Sequence, residues 1–498
     1  GVKETGIMNL IFERAFYNIK SESAARLRIV GSTSIISAFF NNTPLVALMI
    51  PLVNELADKY KISVSRVLMP LSFAAILGGS CTLIGTNTNL IINSWLIENY
   101  DHVGFGIFEI TPVMLPVALC AISFLIYFSP LLLPSRKPVL KNLENMHEHI
   151  VEMIVDKNSF IIGRTVTEAG LRGLKGLYLI EIVRRNQSLA AVSSNIKIEE
   201  QDRLYFVGAP EVASDLEAIH GLIRPEINRF RLFETENRTF VEVVVKNSSP
   251  VIGSTIRDGQ FRTLYSAAVI AVARNGRHVQ GKIGDITLQE GDALLLETRK
   301  DFLSRMEKKE DFYIINQINK SNKVNYRRAL LSFLIVLTMI VAAAWGLTTL
   351  FTASITAATA MVLSKCCSVS AARRSIEWNI LLIIAGTLAL GKAMETSDLA
   401  PIISTYLFSL LPHNNTIFLL TFFCLSSIIS NLISSKAGAL FVLPIAASTA
   451  QLLFIPLIPL VVMIMIGASM AVASPLAYPT NLMVYGPGGY FFSDYLRL

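Results

Sequence analysis

One apolar unit occurs twice in the chain, near the start and near the end. Ile36–Pro51 (ISAFFNNTPLVALMIP) aligns without gaps with Ile429–Pro444 (ISNLISSKAGALFVLP). The match resumes downstream, where Thr82–Asn89 (TLIGTNTN) aligns with Ser474–Asn481 (SPLAYPTN). Two copies of one unit therefore flank everything in the middle, so the fold must be built around an internal duplication.

Each copy has two apolar segments, and small, amide and hydroxyl residues interrupt each segment halfway. Lipid offers no hydrogen-bond partners, so backbone leaves the helix at membrane depth only where protein or a polar cavity satisfies it. Freed N–H groups attract anions, whereas carbonyl, amide and hydroxyl oxygens suit a small cation. One such cluster alone would more often indicate close helix packing. Four symmetric interruptions favour a binding site near the bilayer midplane.

Composition indicates a polytopic α-helical membrane protein with a more polar part attached. The 498 residues are 52% hydrophobic and only 16% charged, whereas soluble domains are about 25% charged. The net charge of +7 forms no basic stripe, because many basic residues flank apolar spans, where membrane orientation explains them. We therefore expect the protein to interact with the lipid bilayer and not with nucleic acid. No nucleophile with its base is visible, so we expect no enzyme.

The apolar pattern predicts two membrane repeats that enter the bilayer from opposite faces. The first, 1–134, contains a hairpin (24–57), a broken helix (66–97) and a span (106–134); the second, 327–498, contains a hairpin (416–452) and a broken helix (457–495). Crossing takes about 20 residues, so the first hairpin is predicted to be re-entrant. The loop at 58–66 is rich in basic residues, which predicts that it lies in the cytoplasm. Comparison of the two repeats also predicts that the chain is a fragment that lacks helices at both ends.

The middle of the chain carries a second duplication. Val151–Thr165 aligns with Val241–Thr255 at an offset of 90 residues. Each copy predicts a strand, a glycine turn, a short helix, a strand pair, a buried strand and a terminal helix. We expect two soluble α+β domains at 147–222 and 237–312, with linkers at 135–146, 223–236 and 313–326.

Four segments together resemble one transporter family: NNTPLVALMIP, GTNTNLI, SPLAYPTNLMVYGPGGY and FSDYLRL. The chain is similar to divalent anion:sodium symporters that carry two TrkA-C (RCK-C) type domains in a cytoplasmic loop. The resemblance implies an elevator-type transporter, a homodimer in the plasma (inner) membrane, whose mobile domain contains both hairpins and both broken helices. Relatives of this kind carry sulfate, dicarboxylates or similar small anions, with sodium as the coupling ion and no other cofactor.

The family's signatures fall on defined positions of this chain. The resemblance implies an anion site that contains Asn41, Asn42, Thr43, Thr88, Asn89, Ser434, Ser435, Lys436, Thr480 and Asn481. It also implies sodium ligands at or beside Asn42, Thr86, Asn87, Ser474 and Pro479. Donor groups suit an anion and hard oxygens suit a small alkali cation, so the residue chemistry agrees.

Lys436 departs from the family pattern, which has an amide or small residue at the second hairpin tip. An ammonium group at membrane depth costs a few kcal/mol unless it is paired or hydrated. Lys436 either takes the place of a second sodium, contacts the anion, or extends to the membrane surface. Either of the first two alternatives argues against a second sodium site and leaves proton coupling open.

These observations predict a secondary active transporter for a small divalent anion, with sulfate first and a dicarboxylate next. Two alternatives remain: a ligand-gated channel and a membrane sensor, each controlled by the inserted domains. Those domains either bind a small ligand or serve only in dimerisation.

Overall fold

The computed structural model describes most of the chain in two compact units. The described residues are 2–5, 12, 16, 21–60, 62–100, 103–136, 150–171, 177–184, 187–190, 196–208, 221–223, 238–246, 248–274, 277–279, 283–299, 302, 311–317, 326–376, 378–410 and 414–498. One unit comprises Gly1–Lys137 and Tyr313–Leu498, and the other comprises Pro138–Phe312. The sequence of residues 6–17 also predicts a short amphipathic helix, and this segment lies almost wholly outside the described residues.

The first half of the larger unit is helical. Its helices are α1 (Val2–Thr5), α2 (Glu22–Ser37), α3 (Asn42–Tyr60), α4 (Leu68–Ser80), α5 (Asn87–Tyr100) and α6 (Thr111–Leu132). Helices α2 and α3 form the first hairpin. Helices α4 and α5 are separated by residues 81–86, so the apolar segment is broken where the small polar residues occur. Every residue of α4 is buried, which places this helix in the core.

The tip of the first hairpin lies slightly earlier in the chain than the sequence suggests. The expected tip was Asn41, Asn42 and Thr43, but α3 already begins at Asn42. The Thr43 backbone N–H donates to Asn41 Oδ1 over 3.2 Å. An asparagine oxygen that accepts from the first turn is a typical N-cap. Asn42 and Thr43 therefore project from the first turn of a helix.

The smaller unit contains two sheets of the same topology. Its strands are β1 (Ile150–Val155), β2 (Leu177–Arg184), β3 (Gln187–Ala190), β4 (Arg203–Gly208), β5 (Leu222–Ile223), β6 (Arg238–Val245), β7 (Ala268–Arg274), β8 (Arg277–His278) and β9 (Ala293–Arg299), with α7 (Phe261–Tyr265) between β6 and β7. A tenth strand, β10 (Phe312–Gln317), follows. The orders are β3-β2-β4-β1-β5 and β10-β6-β9-β7-β8. Adding five to each strand number of the first sheet gives the order of the second sheet in reverse, so the two sheets have the same topology.

A buried ion pair occupies the same place in both sheets. Arg184 donates from Nε and Nη2 to the Asp202 carboxylate over 2.9 and 2.8 Å. Ninety residues later, Arg274 binds Asp292 in the same way, with both distances 2.7 Å. Both carboxylates are fully buried, and their hydrogen bonds raise the pKa of each arginine. Two-point pairing fixes the two side chains in one orientation, so it joins the strand pair to the buried strand in each copy.

One of the two edge strands of each sheet, β5 in the first and β10 in the second, is missing from the sequence prediction. Strand β5 lies across the expected boundary at 222, and β10 begins at the expected boundary of 312. The predicted terminal helices fall mainly on residues outside the described set. That the two copies are soluble and lie outside the membrane stays a prediction, as does their likeness to TrkA-C domains.

The second half of the larger unit repeats the helical pattern. Its helices are α8 (Tyr326–Ala344), α9 (Leu350–Leu363), α10 (Val369–Arg374), α11 (Trp378–Thr396), α12 (Leu399–Leu410), α13 (Asn415–Leu432), α14 (Ser435–Leu453), α15 (Leu457–Ser469), α16 (Pro479–Tyr485) and α17 (Phe492–Arg497). Helices α13 and α14 form the second hairpin. The helix predicted to run from 457 to 495 with one break is in fact three helices, because Gly486, Pro487, Gly488 and Gly489 end α16.

Four of the described helices are long and apolar enough to cross a membrane, namely α6, α8, α13 and α14. Both arms of the second hairpin meet this criterion, whereas neither arm of the first does. The chain is therefore helical with several spans, as the composition predicts.

A glycine brings a hairpin arm and a broken helix into backbone contact in each half. A Cβ on Gly78 of α4 would overlap the Ser34 carbonyl and lie 2.6 Å from Ser34 Cα in α2. A Cβ on Gly467 of α15 would overlap the Phe423 carbonyl and Ser426 Oγ in α13. Small residues permit such close helix approach in membranes, so each hairpin packs directly on the broken helix of its own half.

Candidate functional site

Two residues that correspond in the duplication touch each other. Thr86 and Tyr478 occupy the same position in TLIGTNTN and SPLAYPTN. Thr86 Oγ1 and Tyr478 Oη are 2.6 Å apart, and both side chains are buried. Corresponding residues of the two copies are thus in direct contact, and the hydrogen bond joins one copy to the other. The first break is residues 81–86, between α4 and α5, and the second break is residues 470–478, between α15 and α16. The two breaks therefore meet at this contact.

Asn42, in the first turn of α3, lies beside this contact. We orient its amide with the nitrogen inward, because only that orientation places donors against acceptors. The nitrogen then donates to Ala75 O over 3.0 Å, to Gly85 O over 3.3 Å and to Ser37 Oγ over 2.6 Å. The other amide terminus lies 3.3 Å from Tyr478 Oη. Asn42 thus joins the hairpin to both breaks.

Two further contacts join the hairpins to the first break. Asn41 Nδ2 donates to Asn87 Oδ1 over 3.3 Å. Thr88 Oγ1 donates to Ser435 Oγ of the second hairpin over 3.4 Å. The first break therefore contacts both hairpin tips, and residues from the two ends of the sequence form one cluster.

Asn89 and Asn481 hold the two breaks in the same manner. Asn89 Nδ2 donates to Thr82 O over 3.1 Å, and Asn481 Nδ2 donates to the equivalent carbonyl, Ser474 O, over 3.3 Å. Their oxygens differ, because Asn481 Oδ1 accepts from Ser72 Oγ over 2.7 Å. Asn89 Oδ1 has no hydrogen-bond partner among the described residues.

The helix bounds explain this asymmetry. Helices α4 and α15 have 13 residues each, and their alignment places Val461 where α4 has Ser72. Valine has no hydroxyl, so the second half lacks a counterpart of the Ser72 hydroxyl that donates to Asn481. Asn89 Oδ1 is consequently an unused acceptor within the site.

We expect Ser72→Val to destabilise the protein by about 1–3 kcal/mol, because it leaves the buried Asn481 oxygen without its donor. Thermal unfolding in detergent should show a lower Tm. The reciprocal variant, Val461→Ser, supplies a hydroxyl toward Asn89 and should leave the Tm unchanged or raise it. Equal losses in both variants would contradict this role for Ser72.

The remaining predicted residues lie around the second break and tip. Ser434 caps α14 by accepting from the Ala437 N–H over 3.3 Å, just as Asn41 caps α3. Lys436, the second residue of α14, is half-buried. Ser474 Oγ accepts from the Leu476 N–H over 3.2 Å, and Pro479 starts α16. Thr480 is buried, and its hydroxyl has no partner in the described part of the chain.

The C-terminal segment, which contains α17, holds the helix that follows the second break. Tyr495 Oη donates to the Asn481 carbonyl over 2.8 Å. Asp494, which is fully buried, accepts from Arg136 Nη1 and, over 3.3 Å, from Nη2. Arg136 also donates to Gly489 O over 2.9 Å, and its guanidinium lies 4.1 Å from the Phe491 ring centroid. One buried ion pair therefore anchors the segment that holds Asn481.

Tyr478 and Ser72 are the site residues that sequence reasoning missed. Tyr478 is visible in the repeat alignment opposite Thr86, but a tyrosine in an apolar segment is usually a packing residue. Ser72 lies in a helix with no polar periodicity, so no local signal distinguishes it.

The site is polar but carries few charges. Its atoms are amides, hydroxyls and carbonyls, and the Ser37 and Gly79 carbonyls crowd around Gly85 so closely that a Cβ there would lie 2.7 Å from Ser37 O. Across the described ranges, no cluster of His, Cys, Asp or Glu could hold a metal ion. Neutral oxygens suit a small alkali cation, and N–H and O–H groups suit an anion. The donor set is therefore chemically compatible with both a small alkali cation and an anion.

The chain is similar in sequence to known transporters. A sequence model of the citrate transporter family, CitMHS, matches residues 1–467. A Chlamydomonas reinhardtii protein described as a "putative sulfur deprivation response regulator" is 32% identical over 100% of this chain and 87% of its own length. An uncharacterized transporter of Synechocystis is 29% identical over 100% of this chain and 83% of its own length. Sodium/sulfate cotransporter 1 of C. reinhardtii is 22% identical over 99% of this chain and 80% of its own length. With its several apolar helices, the chain is an integral membrane protein, and it belongs to the citrate transporter family.

Proposed function

We propose that this protein is a secondary active transporter that moves sulfate, driven by sodium. One observation carries the proposal: the two breaks and the two hairpin tips meet through Thr86–Tyr478 and Thr88–Ser435. Broken helices that converge from two repeats form the substrate sites of many transporters. The cluster also offers both cation ligands and anion donors.

Sulfate is preferred over a dicarboxylate for two reasons. A relative named as a sodium/sulfate cotransporter aligns with nearly the whole chain. The cluster is also tightly closed, since Asn42, Thr86 and Asn481 are each at most 2% exposed. A compact tetrahedral anion demands less rearrangement there than an extended dicarboxylate.

The proposed mechanism divides the work between two kinds of atom. Amide and hydroxyl donors of Asn41, Thr43, Thr88 and Thr480 hold the anion. Oxygens of Asn42 and nearby carbonyls hold sodium, which offsets the negative charge of sulfate. The hairpins and broken helices then move as an elevator within a homodimer, exposing the site to each side in turn.

Lys436 takes the place of a second sodium in this proposal. It lies in the first turn of α14, where the helix dipole is positive and disfavours a cation by a few tenths of a kcal/mol or more. An anion bound at the second hairpin tip would offset this cost. The repeat places Thr43 at the equivalent position of the first hairpin, so only the second tip carries a fixed charge.

The test is uptake of radiolabelled sulfate into proteoliposomes that contain the full-length protein, with and without a sodium gradient. We expect sodium-driven uptake that excess succinate does not compete. Lys436→Asn should make the sodium dependence steeper, since a second sodium then replaces the ammonium group. Lys365→Asn, which changes an exposed lysine, is the matched control and should leave it unaltered. Absence of uptake under every gradient would refute the proposal.

A membrane sensor is the second candidate, because a relative that is 32% identical is described as a "putative sulfur deprivation response regulator". A sensor would bind sulfate without moving it. Saturable sulfate binding to the purified protein, combined with no uptake, would favour this candidate over transport.

A further inference from the structure

Tyr478 reaches from the second break into the first half of the site. Its side chain is 6% exposed. Its hydroxyl lies 2.6 Å from Thr86 Oγ1 and 3.3 Å from the outer terminus of the Asn42 amide. A phenol has one proton to donate and an oxygen that accepts. Tyr478 can therefore serve only one of these neighbours as a donor.

The hydrogen bonds of Asn42 decide which neighbour receives the proton. Its amide nitrogen is directed at the Ala75 and Gly85 carbonyls and Ser37 Oγ, so its oxygen points toward Tyr478. An amide oxygen only accepts, so the 3.3 Å contact is a hydrogen bond only when Tyr478 donates to Asn42. Thr86 then donates to Tyr478 Oη, because either hydroxyl can be the donor in their 2.6 Å contact. The Thr86 oxygen also accepts from the Thr88 N–H over 3.4 Å.

We propose that Tyr478 couples cation binding to anion binding through this one proton. Without a cation, the proton is held by Asn42 Oδ1. A cation on that oxygen repels the O–H proton, the hydroxyl rotates about its C–O bond, and the proton is donated to the anion. The O–H bond stays intact and no proton is transferred. The inference rests on the proposed function, which places sodium at Asn42 and the anion between the hairpin tips.

The coupling has a thermodynamic consequence. Each ligand must strengthen the binding of the other by the same factor. A hydrogen bond to an anion is about twice as strong as one between neutral groups, so rotation of the hydroxyl is favourable once Asn42 has its cation. The anion should therefore bind weakly when sodium is absent.

The test measures sulfate binding to the full-length protein by calorimetry, in choline and in saturating sodium. We expect sodium to tighten sulfate binding in the wild type by about tenfold or more. Tyr478→Phe keeps the ring and removes the proton, so the ratio should fall close to one. Tyr485→Phe removes another buried phenol hydroxyl at the far end of α16 and should retain the wild-type ratio.

A second variant keeps the inference testable if Tyr478→Phe does not fold. Tyr478→His replaces the phenol O–H by a ring N–H that can still donate, so part of the sodium effect on sulfate binding should persist. Complete loss of the effect in Tyr478→His, or its full retention in Tyr478→Phe, would overturn the role of Tyr478. If the wild-type protein binds sulfate equally well in choline and sodium, the proposed sodium coupling itself fails.

Discussion

Gly85→Ala is expected to abolish transport. A Cβ at this position would overlap the Gly79 carbonyl and lie 2.7 Å from the Ser37 carbonyl. Both obstacles are backbone atoms, so no side-chain rotation can relieve them. The break must shift away from α2 and α4, and displacement of a site by about 1 Å can cost about 100-fold in rate. Sulfate uptake into proteoliposomes, normalised to the amount of folded protein, measures the loss.

The duplication supplies a control for this variant. Ala477 occupies the position of Gly85 in the second copy and is buried. The second break therefore accepts a Cβ where the first does not. Ala477→Gly should retain most of the uptake, with a destabilisation of about 0.5–1 kcal/mol. Similar uptake in Gly85→Ala and the wild type would show that the carbonyls around Gly85 are not a fixed part of the site.

Arg136→Leu is expected to give the largest loss of stability. It leaves the Asp494 carboxylate buried without its ionic partner, and breaking one side of a buried pair typically costs about 3–5 kcal/mol. The C-terminal segment then loosens, and Tyr495 no longer holds the Asn481 carbonyl. Thermal unfolding in detergent should show a clearly lower Tm, and sulfate uptake should fall with it.

A double-mutant cycle separates the stability that comes from the ion pair between Arg136 and Asp494 from the stability that is lost with packing of the two side chains. Arg136→Leu combined with Asp494→Leu removes both charges, so the double variant should be more stable than Arg136→Leu alone. Additive losses in the cycle would argue that the two residues stabilise the protein independently.

The sequence predicted the repeats because apolar patterning is a local property. Positions of the hairpins and breaks follow from where small and polar residues interrupt apolar runs, as at Asn87 and Pro479. The match between Val151–Thr165 and Val241–Thr255 likewise corresponds to one topology built twice. An alignment of repeats gives these correspondences directly.

Contacts between the repeats could not be predicted in the same way. The alignment pairs Thr86 with Tyr478, but correspondence does not imply that the two side chains touch. Ser72 reaches Asn481 across more than 400 residues of sequence. The counterpart of Lys436 in the repeat is Thr43, a neutral residue that does not show what the ammonium group does. Strand β5 has two residues, too few for an alternating pattern. Such features depend on tertiary packing, which local periodicity does not encode.

The glycine contacts at Gly78 and Gly467 restrict how the helices can move. Backbone lies against backbone there, and the residues one turn earlier on the same face of each helix, Ala74 before Gly78 and Met463 before Gly467, carry a Cβ. Sliding a hairpin arm along its broken helix by one turn would therefore bring a Cβ into the gap. Each hairpin arm and its broken helix are therefore fixed in register. Any movement that transports a substrate across the membrane must move the arm and the helix together as one rigid unit.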